Sequence, residues 1–253
     1  MAPELGLTRL AGSGSSERLT VVGPSLGTPV ALLWRECAQA LARELDSEVI
    51  GWDLPGHGAS PPTAGPFTVR DVAGELQRRV TELGRGRPAA YAGVSFGGAV
   101  GFELAAGHGG PFDAVVCIGA ARRIGLPAMW HERAALVRTR GTPVVVEGSA
   151  QRWFAPGFAG RRPQVAGALL TALAGTDRES YARACEALAE FEGGRSATPV
   201  RVLVGEHDVV VPPDGADRVL AGCGHLPPAE DPVAVARVVA EVLEEMRCPT
   251  TTA

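Results

Sequence analysis

The chain has 253 residues, of which 45% are hydrophobic and 21% charged, and its formal net charge at pH 7 is −4. This length suits one α/β domain with an insertion, and the small, mixed charge predicts no surface for nucleic acid. No apolar run reaches the roughly 20 residues that span a bilayer, so we expect no membrane partner.

The amino terminus lacks the basic start and apolar stretch of a secretory signal. The five cysteines are an odd number without metal-site spacing, so we interpret them as reduced thiols. We therefore expect a cytoplasmic protein that acts on a small molecule, as a monomer or a homodimer.

Short apolar runs alternate with amphipathic segments along the first half of the chain. This alternation, at a repeat of roughly 30 residues, predicts a mostly parallel sheet with helices on both faces. We predict strands near Leu5–Leu10 and at Leu19–Val22, Val49–Asp53, Ala89–Val94 and Ala114–Gly119. The predicted helices between them are Trp34–Leu45, Thr68 to about Leu83, and Ala99–Ala106.

Residues 122–192 interrupt the alternation with helical patterns, and a strand at Val200–Val204 and a helix at Pro232–Met246 restore it. We predict an α/β core of residues 1–121 and 193–253 and a helical cap of residues 122–192. The predicted cap helices are Pro127–Thr139, one around Val144–Trp153, Arg162–Ala174 and Arg178–Phe191.

The stretch Ala89–Gly98 joins a strand to a helix through the pattern G-x-S-x-G, with Ser95 at its centre. In this context the pattern is typical of a strained turn that presents a nucleophilic serine at the end of a sheet. Gly93 and Gly97 allow the flanking backbone to approach closely. We therefore predict Ser95 as the nucleophile.

An acid and a histidine follow in the order that such a nucleophile requires. Asp208 comes just beyond the strand Val200–Val204, and His225 follows small residues ahead of the last helix. The order Ser95, Asp208, His225 is that of an α/β-hydrolase triad. His225 would remove the proton from the serine, and Asp208 would orient and stabilise the imidazole ring.

Other residues could in principle take these roles. Glu206 is the rival acid and His207 the rival base, although both lie closer to the strand end. We interpret His57 as a turn residue whose ring bonds backbone, and His108 and His131 as surface residues.

Hydrolysis of an ester also needs two backbone N–H groups that stabilise the oxyanion, each worth about 3 kcal/mol of barrier. Phe96 directly follows the nucleophile and supplies one N–H group. Leu26, in the loop after the first clear strand, is the best-placed residue for the other.

Six stretches together carry a resemblance to a known family: Gly23–Thr28, Asp53–Ser60, Gly93–Gly98, Ala120–Pro127 with Met129-Trp130, Arg152–Pro156 and Gly205–Asp208. They resemble the 3-oxoadipate enol-lactonases, α/β-hydrolases of protocatechuate and catechol breakdown. The turn Gly93–Gly97, which we call the elbow, and the triad indicate only the superfamily, whereas the cap stretches and the first loop point to this family.

The resemblance implies hydrolysis of a small lactone or ester through an acyl-enzyme, with neither a metal nor a cofactor. The family's substrate carries a free carboxylate, which an arginine, an indole or amide donors can bind. The candidate substrate-binding residues in the cap are Trp130, Arg133, Trp153, Arg122 and Arg123.

One segment departs from the family pattern, because only 16 residues separate Asp208 from His225. The fold normally fits a helix and a further strand there. Pro212–Leu220 could supply a short helix, but no apolar strand pattern precedes Gly222. Either the sheet has lost its last strand or strands, or the sequence lacks a segment, and the first case puts the reach of His225 to Ser95 in question.

Two other functions stay open at this point. The fold also suits a repurposed enzyme of secondary metabolism that performs cyclisation, dehydration or acyl transfer. A ligand-binding protein that kept the elbow without catalysis is the third hypothesis, and the order of the triad residues disfavours it.

Overall fold

A seven-stranded sheet forms the centre of the computed structural model, which describes residues 3–107 and 110–248. The strands lie in the order β1-β3-β2-β4-β5-β6-β7; all neighbours are parallel except β1 and β3. Their bounds are β1 Leu7–Ala11, β2 Arg18–Gly23, β3 Ser47–Trp52, β4 Ala89–Val94, β5 Phe112–Ile118, β6 Val200–Gly205 and β7 Arg218–Leu220. The predicted mostly parallel α/β sheet is confirmed.

Helices cover both faces of the sheet and fill the segment between β5 and β6. They are α1 Val30–Leu33, α2 Arg35–Leu45, α3 Val69–Gly84, α4 Phe96–Ala106, α5 Pro127–Arg140, α6 Val146–Trp153, α7 Phe158–Arg161, α8 Pro163–Ala174, α9 Arg178–Glu190, α10 Pro227–Glu230 and α11 Pro232–Arg247. A 3₁₀ turn, Thr142–Val145, leads into α6. None of the described helices is long and apolar enough to cross a membrane.

Burial and helix capping explain why some of these segments form strands and helices. Every residue of β3 and β4 is buried, as in strands that are covered on both faces. Helix α3 begins with a capping box, in which the Thr68 hydroxyl accepts a hydrogen bond from Asp71 N and Asp71 accepts one from Thr68 N. Such caps contribute about 1 kcal/mol each.

We call residues 122–192, which lie between β5 and β6, the insertion. Gly193 N donates a hydrogen bond of 2.7 Å to Arg122 O, so the insertion leaves and rejoins the core at one place. Helices α5 and α9 pack against each other within it, and Arg138 of α5 forms ion pairs with Glu179 and Glu186 of α9.

The short segment between Asp208 and His225 contains β7 and no helix. The expectation that Pro212–Leu220 forms a short helix is therefore wrong, and so is the expectation that no strand precedes Gly222. Residues 206–217 connect β6 to β7, which is about the dozen residues that a parallel crossover needs. Since Gly205 pairs with Leu220 in the sheet, the two strands end side by side.

Candidate active site

Ser95 occupies a strained position at the end of β4, at the amino terminus of α4. Its backbone has φ 54° and ψ −108°, which costs a non-glycine residue on the order of 1–3 kcal/mol. The turn is held by a hydrogen bond of 2.8 Å from Ser95 N to Ile118 O. It is also tight, because a Cβ atom on Gly93 would lie 2.3 Å from Gly97 O. The Ser95 side chain lines a cavity of about 410 Å³.

Asp208 and His225 form a buried pair at the same edge of the sheet. The distance between His225 Nδ1 and Asp208 Oδ2 is 2.8 Å, and their side chains are 2% and 0% exposed. The other carboxylate oxygen accepts hydrogen bonds from Val210 N and Val211 N, at 2.7 and 3.0 Å. Since an ionised carboxylate only accepts, His225 Nδ1 carries the proton and Nε2 is free to act as a base.

Ser95 and His225 line the same cavity. No hydrogen bond joins Ser95 Oγ to His225 Nε2 among the residues that the structure describes. Such bonds are often long in substrate-free enzymes and tighten in the complex. The short segment before His225 has therefore not removed this residue from the cavity of the predicted nucleophile.

Two backbone amides beside Ser95 are free to donate. On the loop after β2, Ser25 N donates to Thr28 and Gly27 N donates to His57, whereas Leu26 N has no partner among the described residues. Phe96 N, at the amino terminus of α4, has none either within the described chain. An oxyanion hole needs two amide donors without other partners, and Leu26 lines the same cavity as Ser95.

The His57 ring is hydrogen-bonded to the loop that contains Leu26. Its Nδ1 donates to Pro55 O at 2.9 Å, and its Nε2 accepts from Gly27 N at 3.1 Å. Burial lowers the pKa of His57 to about 4, so the ring is neutral at pH 7. The ring bonds backbone, as the sequence predicts, and the same ring stacks on Tyr181 of the insertion.

The remaining rival residues lie away from the cavity. Glu206 and His207 are exposed, and Glu206 accepts a hydrogen bond from Gly222 N instead. His131 is also exposed, as the sequence predicts. His108 lies outside the described residues.

The insertion supplies the opposite wall of the cavity, which includes the predicted substrate-binding residues Trp130, Arg133 and Trp153. The other two candidates do not line it. Arg122 lies over the Phe102 ring and donates to Gly193 O, and Arg123 forms an exposed ion pair with Glu192. Both guanidinium groups bind partners near the base of the insertion, which the sequence could not show.

Sequence reasoning missed Arg152, which also lines the cavity. Arg133 donates to the Tyr181 hydroxyl and to Ser149, each at 2.8 Å, but Arg152 has no hydrogen bond or ion pair within the described residues. Burial and the nearby Arg133 both lower the pKa of Arg152. Since Glu132 is the one carboxylate in the described lining, the wall has an excess of positive charge. The sequence signal that could have identified Arg152 is its position directly before Trp153, a predicted substrate-binding residue.

Within residues 3–107 and 110–248, no group of three or more His, Cys, Asp or Glu side chains is arranged to hold a metal ion. All five cysteines are free thiols, and four of them are buried.

Comparison with known proteins places this arrangement in a family. A sequence model described as the alpha/beta hydrolase family matches residues 13–238. The chain is 32% identical to 3-oxoadipate enol-lactonase 2 of Acinetobacter baylyi over 202 residues, 78% of this chain and 74% of the relative. It is 26% identical to 3-oxoadipate enol-lactonase 1 of the same organism over 194 residues, 75% of this chain and 71% of the relative.

A solved structure agrees with these sequence matches. The enol-lactonase from Burkholderia xenovorans LB400 superposes with a TM-score of 0.86 and 28% identity, covering 96% of this chain and 97% of that chain. The predicted fold and the predicted family resemblance are both confirmed. The chain belongs to the alpha/beta hydrolase family, alongside the 3-oxoadipate enol-lactonases, and is a carboxylic ester hydrolase.

Proposed function

We propose that the chain hydrolyses a small carboxylate-bearing lactone or ester through an acyl-enzyme on Ser95. The observation that carries the proposal is the buried pair of Asp208 and His225, because His225 lines one cavity with Ser95 and with Leu26, whose amide has no partner among the described residues. A binding protein would have no need of a strained serine beside an oriented imidazole.

The first half of the reaction is acylation. Ser95 Oγ attacks the carbonyl carbon while His225 Nε2 takes its proton, and Asp208 stabilises the imidazolium that forms. The amides of Leu26 and Phe96 donate to the oxyanion. When the tetrahedral intermediate collapses, the bond between the carbonyl carbon and the leaving oxygen breaks, and that oxygen takes the proton from His225. In an enol-lactone the leaving group is an enol, which stays attached to the acyl chain and tautomerises to a ketone.

The second half is deacylation by water. His225 Nε2 removes a proton from the water, whose oxygen attacks the acyl carbon, and the same amides stabilise the second oxyanion. Collapse returns the proton to Ser95 Oγ and releases the carboxylic acid. The groups named here suffice for both proton transfers.

The cavity wall supports a substrate with a free carboxylate. Arg152 lines the cavity without a partner among the described residues, and it lies near a second guanidinium, Arg133, so an anion there would relieve the repulsion between them. Trp130 and Trp153 add apolar surface for the rest of a small substrate. A 3-oxoadipate enol-lactone, the substrate named by the relatives above, has this chemistry.

The proposal is tested by hydrolysis of a five-membered enol-lactone with a free carboxymethyl group and of its methyl ester. We expect the free acid to have the higher kcat/KM, by about ten-fold or more, since a hydrogen-bonded charge contributes about 1.5–3 kcal/mol. Ser95→Ala should lower turnover at least about a thousand-fold while the fold is retained. Wild-type inactivity on both compounds, or undiminished activity of Ser95→Ala, would contradict the proposal.

A further inference from the structure

A single carboxylate joins the loop of His225 to the insertion. Glu230, the last residue of α10, accepts hydrogen bonds from Gly224 N and Leu226 N through Oε1, at 2.9 and 3.3 Å. Its Oε2 accepts one from Ala155 N at 2.7 Å. All three donors are backbone amides, so this carboxylate fixes the course of two chain segments.

The two segments also touch directly. His225 N donates to Trp153 O at 2.9 Å, and a Cβ atom on Gly224 would lie 2.6 Å from Ala155 N. No side chain separates the backbones here. Among the described residues two hydrogen bonds join the segments, one from His225 N to Trp153 O and one from Ala155 N to Glu230. Glu230 also fixes the His225 loop through its two further bonds.

A neutral side chain could not replace this carboxylate fully. Glu230 is partly buried, and burial raises its pKa, while the amide bonds favour the charged form. Glutamine has one acceptor oxygen, so it could accept either from Ala155 N or from the amides beside His225. Its NH₂ group would then face a donor on the other side.

From this geometry we propose that Glu230 is a positioning residue for the hydrolysis proposed above. It holds His225 in reach of Ser95, and through Ala155 it holds the neighbouring wall residues Arg152 and Trp153. Glu230 thus fixes the position of the base relative to the wall that binds the substrate carboxylate. The part of the insertion at residues 152–155 stays tethered to the core during turnover.

The tether is tested without activity by hydrogen–deuterium exchange of the full chain. In Glu230→Ala, amide exchange should rise both at residues 153–155 and at residues 222–226. Glu206→Ala is the matched control, because Glu206 accepts from Gly222 N of the same loop and from no insertion amide; it should affect residues 222–226 alone. Unchanged exchange at residues 153–155 in Glu230→Ala would overturn the proposal.

Kinetics separate positioning from a merely structural role. Labelling of Ser95 by an uncharged fluorophosphonate needs the base, whereas the KM of a carboxylate ester also reports on Arg152. Glu230→Ala should slow labelling about ten-fold or more, since a displacement of 1 Å can cost about 100-fold, and should raise KM as well. Glu230→Gln should partly restore either the labelling rate or KM, because glutamine can accept hydrogen bonds on one side only. This variant replaces Glu230→Ala in the experiment if the alanine variant does not fold.

The outcomes distinguish this inference from the function on which it rests. Glu206→Ala should leave KM unchanged. A labelled wild type whose Glu230 variants keep both the labelling rate and KM would overturn the positioning role while the hydrolase proposal stands. A wild type that neither labels nor turns over would refute the hydrolase proposal, and exchange would still decide whether Glu230 joins the two segments.

Discussion

The two sides of the cavity are built differently. On the core side, Ser95, Asp208 and His225 are each at most 5% exposed, and their backbones lie at the ends of paired strands or in hydrogen-bonded loops. On the insertion side, Met129 is 60% exposed and Arg152 has no partner within the described residues. From this contrast we propose that the core determines the chemistry and the insertion selects the substrate.

This division has a physical origin. The core groups follow β2, β4, β6 and β7, whose register is fixed by backbone hydrogen bonds. The insertion wall is formed by helix side chains, which can be exchanged without moving the sheet. If the division holds, core variants should change kcat and insertion variants should change KM.

The largest expected effect is on the core side. Asp208→Asn and His225→Ala should lower kcat by about 10³- to 10⁴-fold with little change in KM, because both remove the oriented base. Steady-state kinetics on the enol-lactone check this. His207→Ala is the control, since His207 is exposed and adjacent to Asp208. Equal losses in His207→Ala and His225→Ala would break the assignment of the base.

A smaller effect is expected on the insertion side. Arg152→Gln should raise KM for the carboxylate substrate about 10- to 100-fold and leave its methyl ester unchanged, because the lost interaction is a charged hydrogen bond. Arg123→Gln should change neither value, since Arg123 pairs with Glu192 away from the cavity. A fall in kcat with both substrates would show that the two sides are not separable.

The smallest effect on catalysis is expected for His57→Gln. The His57 ring contacts Gly27 of the core and Tyr181 of the insertion, and the expected effect of the change is on the stability of the fold. Because the pKa of His57 is about 4 in the folded protein and near 6.5 when unfolded, the unfolded chain binds the proton first. This contribution to stability is complete above about pH 6.5 and is lost as the pH falls toward about 4. Glutamine can still accept from Gly27 N but does not titrate.

Urea unfolding at neutral pH and at about pH 5 measures this. Relative to His57→Gln, the wild type should lose on the order of 1–2 kcal/mol of unfolding free energy between the two conditions. Parallel pH dependences of the two proteins would mean that His57 is not buried in its neutral form.

Sequence predicted the buried elements best. Strand β4 was clear because each of its residues is apolar or small and buried, whereas β7 was missed because Arg218 and Val219 are exposed and only Leu220 is buried. Helix α1 was missed because its four residues, Val30–Leu33, are too few to show a helical period.

The site divides in the same way. Ser95, Asp208 and His225 follow from motif and chain order, and the structure places all three at the carboxyl edge of the sheet. Arg152 and Glu230 did not follow from the sequence. Arg152 is distinguished by having no partner within residues 3–107 and 110–248, and Glu230 by bonds to amides distant in the chain. Neither property can be predicted from the spacing of residues in the sequence.

The central claim is that Ser95 is acylated during turnover. Rapid quenching of the wild type with a slowly hydrolysed aryl ester, followed by mass spectrometry of the intact chain and its peptides, tests it most directly. The account predicts an acyl adduct on the peptide that contains Ser95, formed before product release and lost as turnover ends. Turnover without any adduct, or an adduct on another residue, would contradict it.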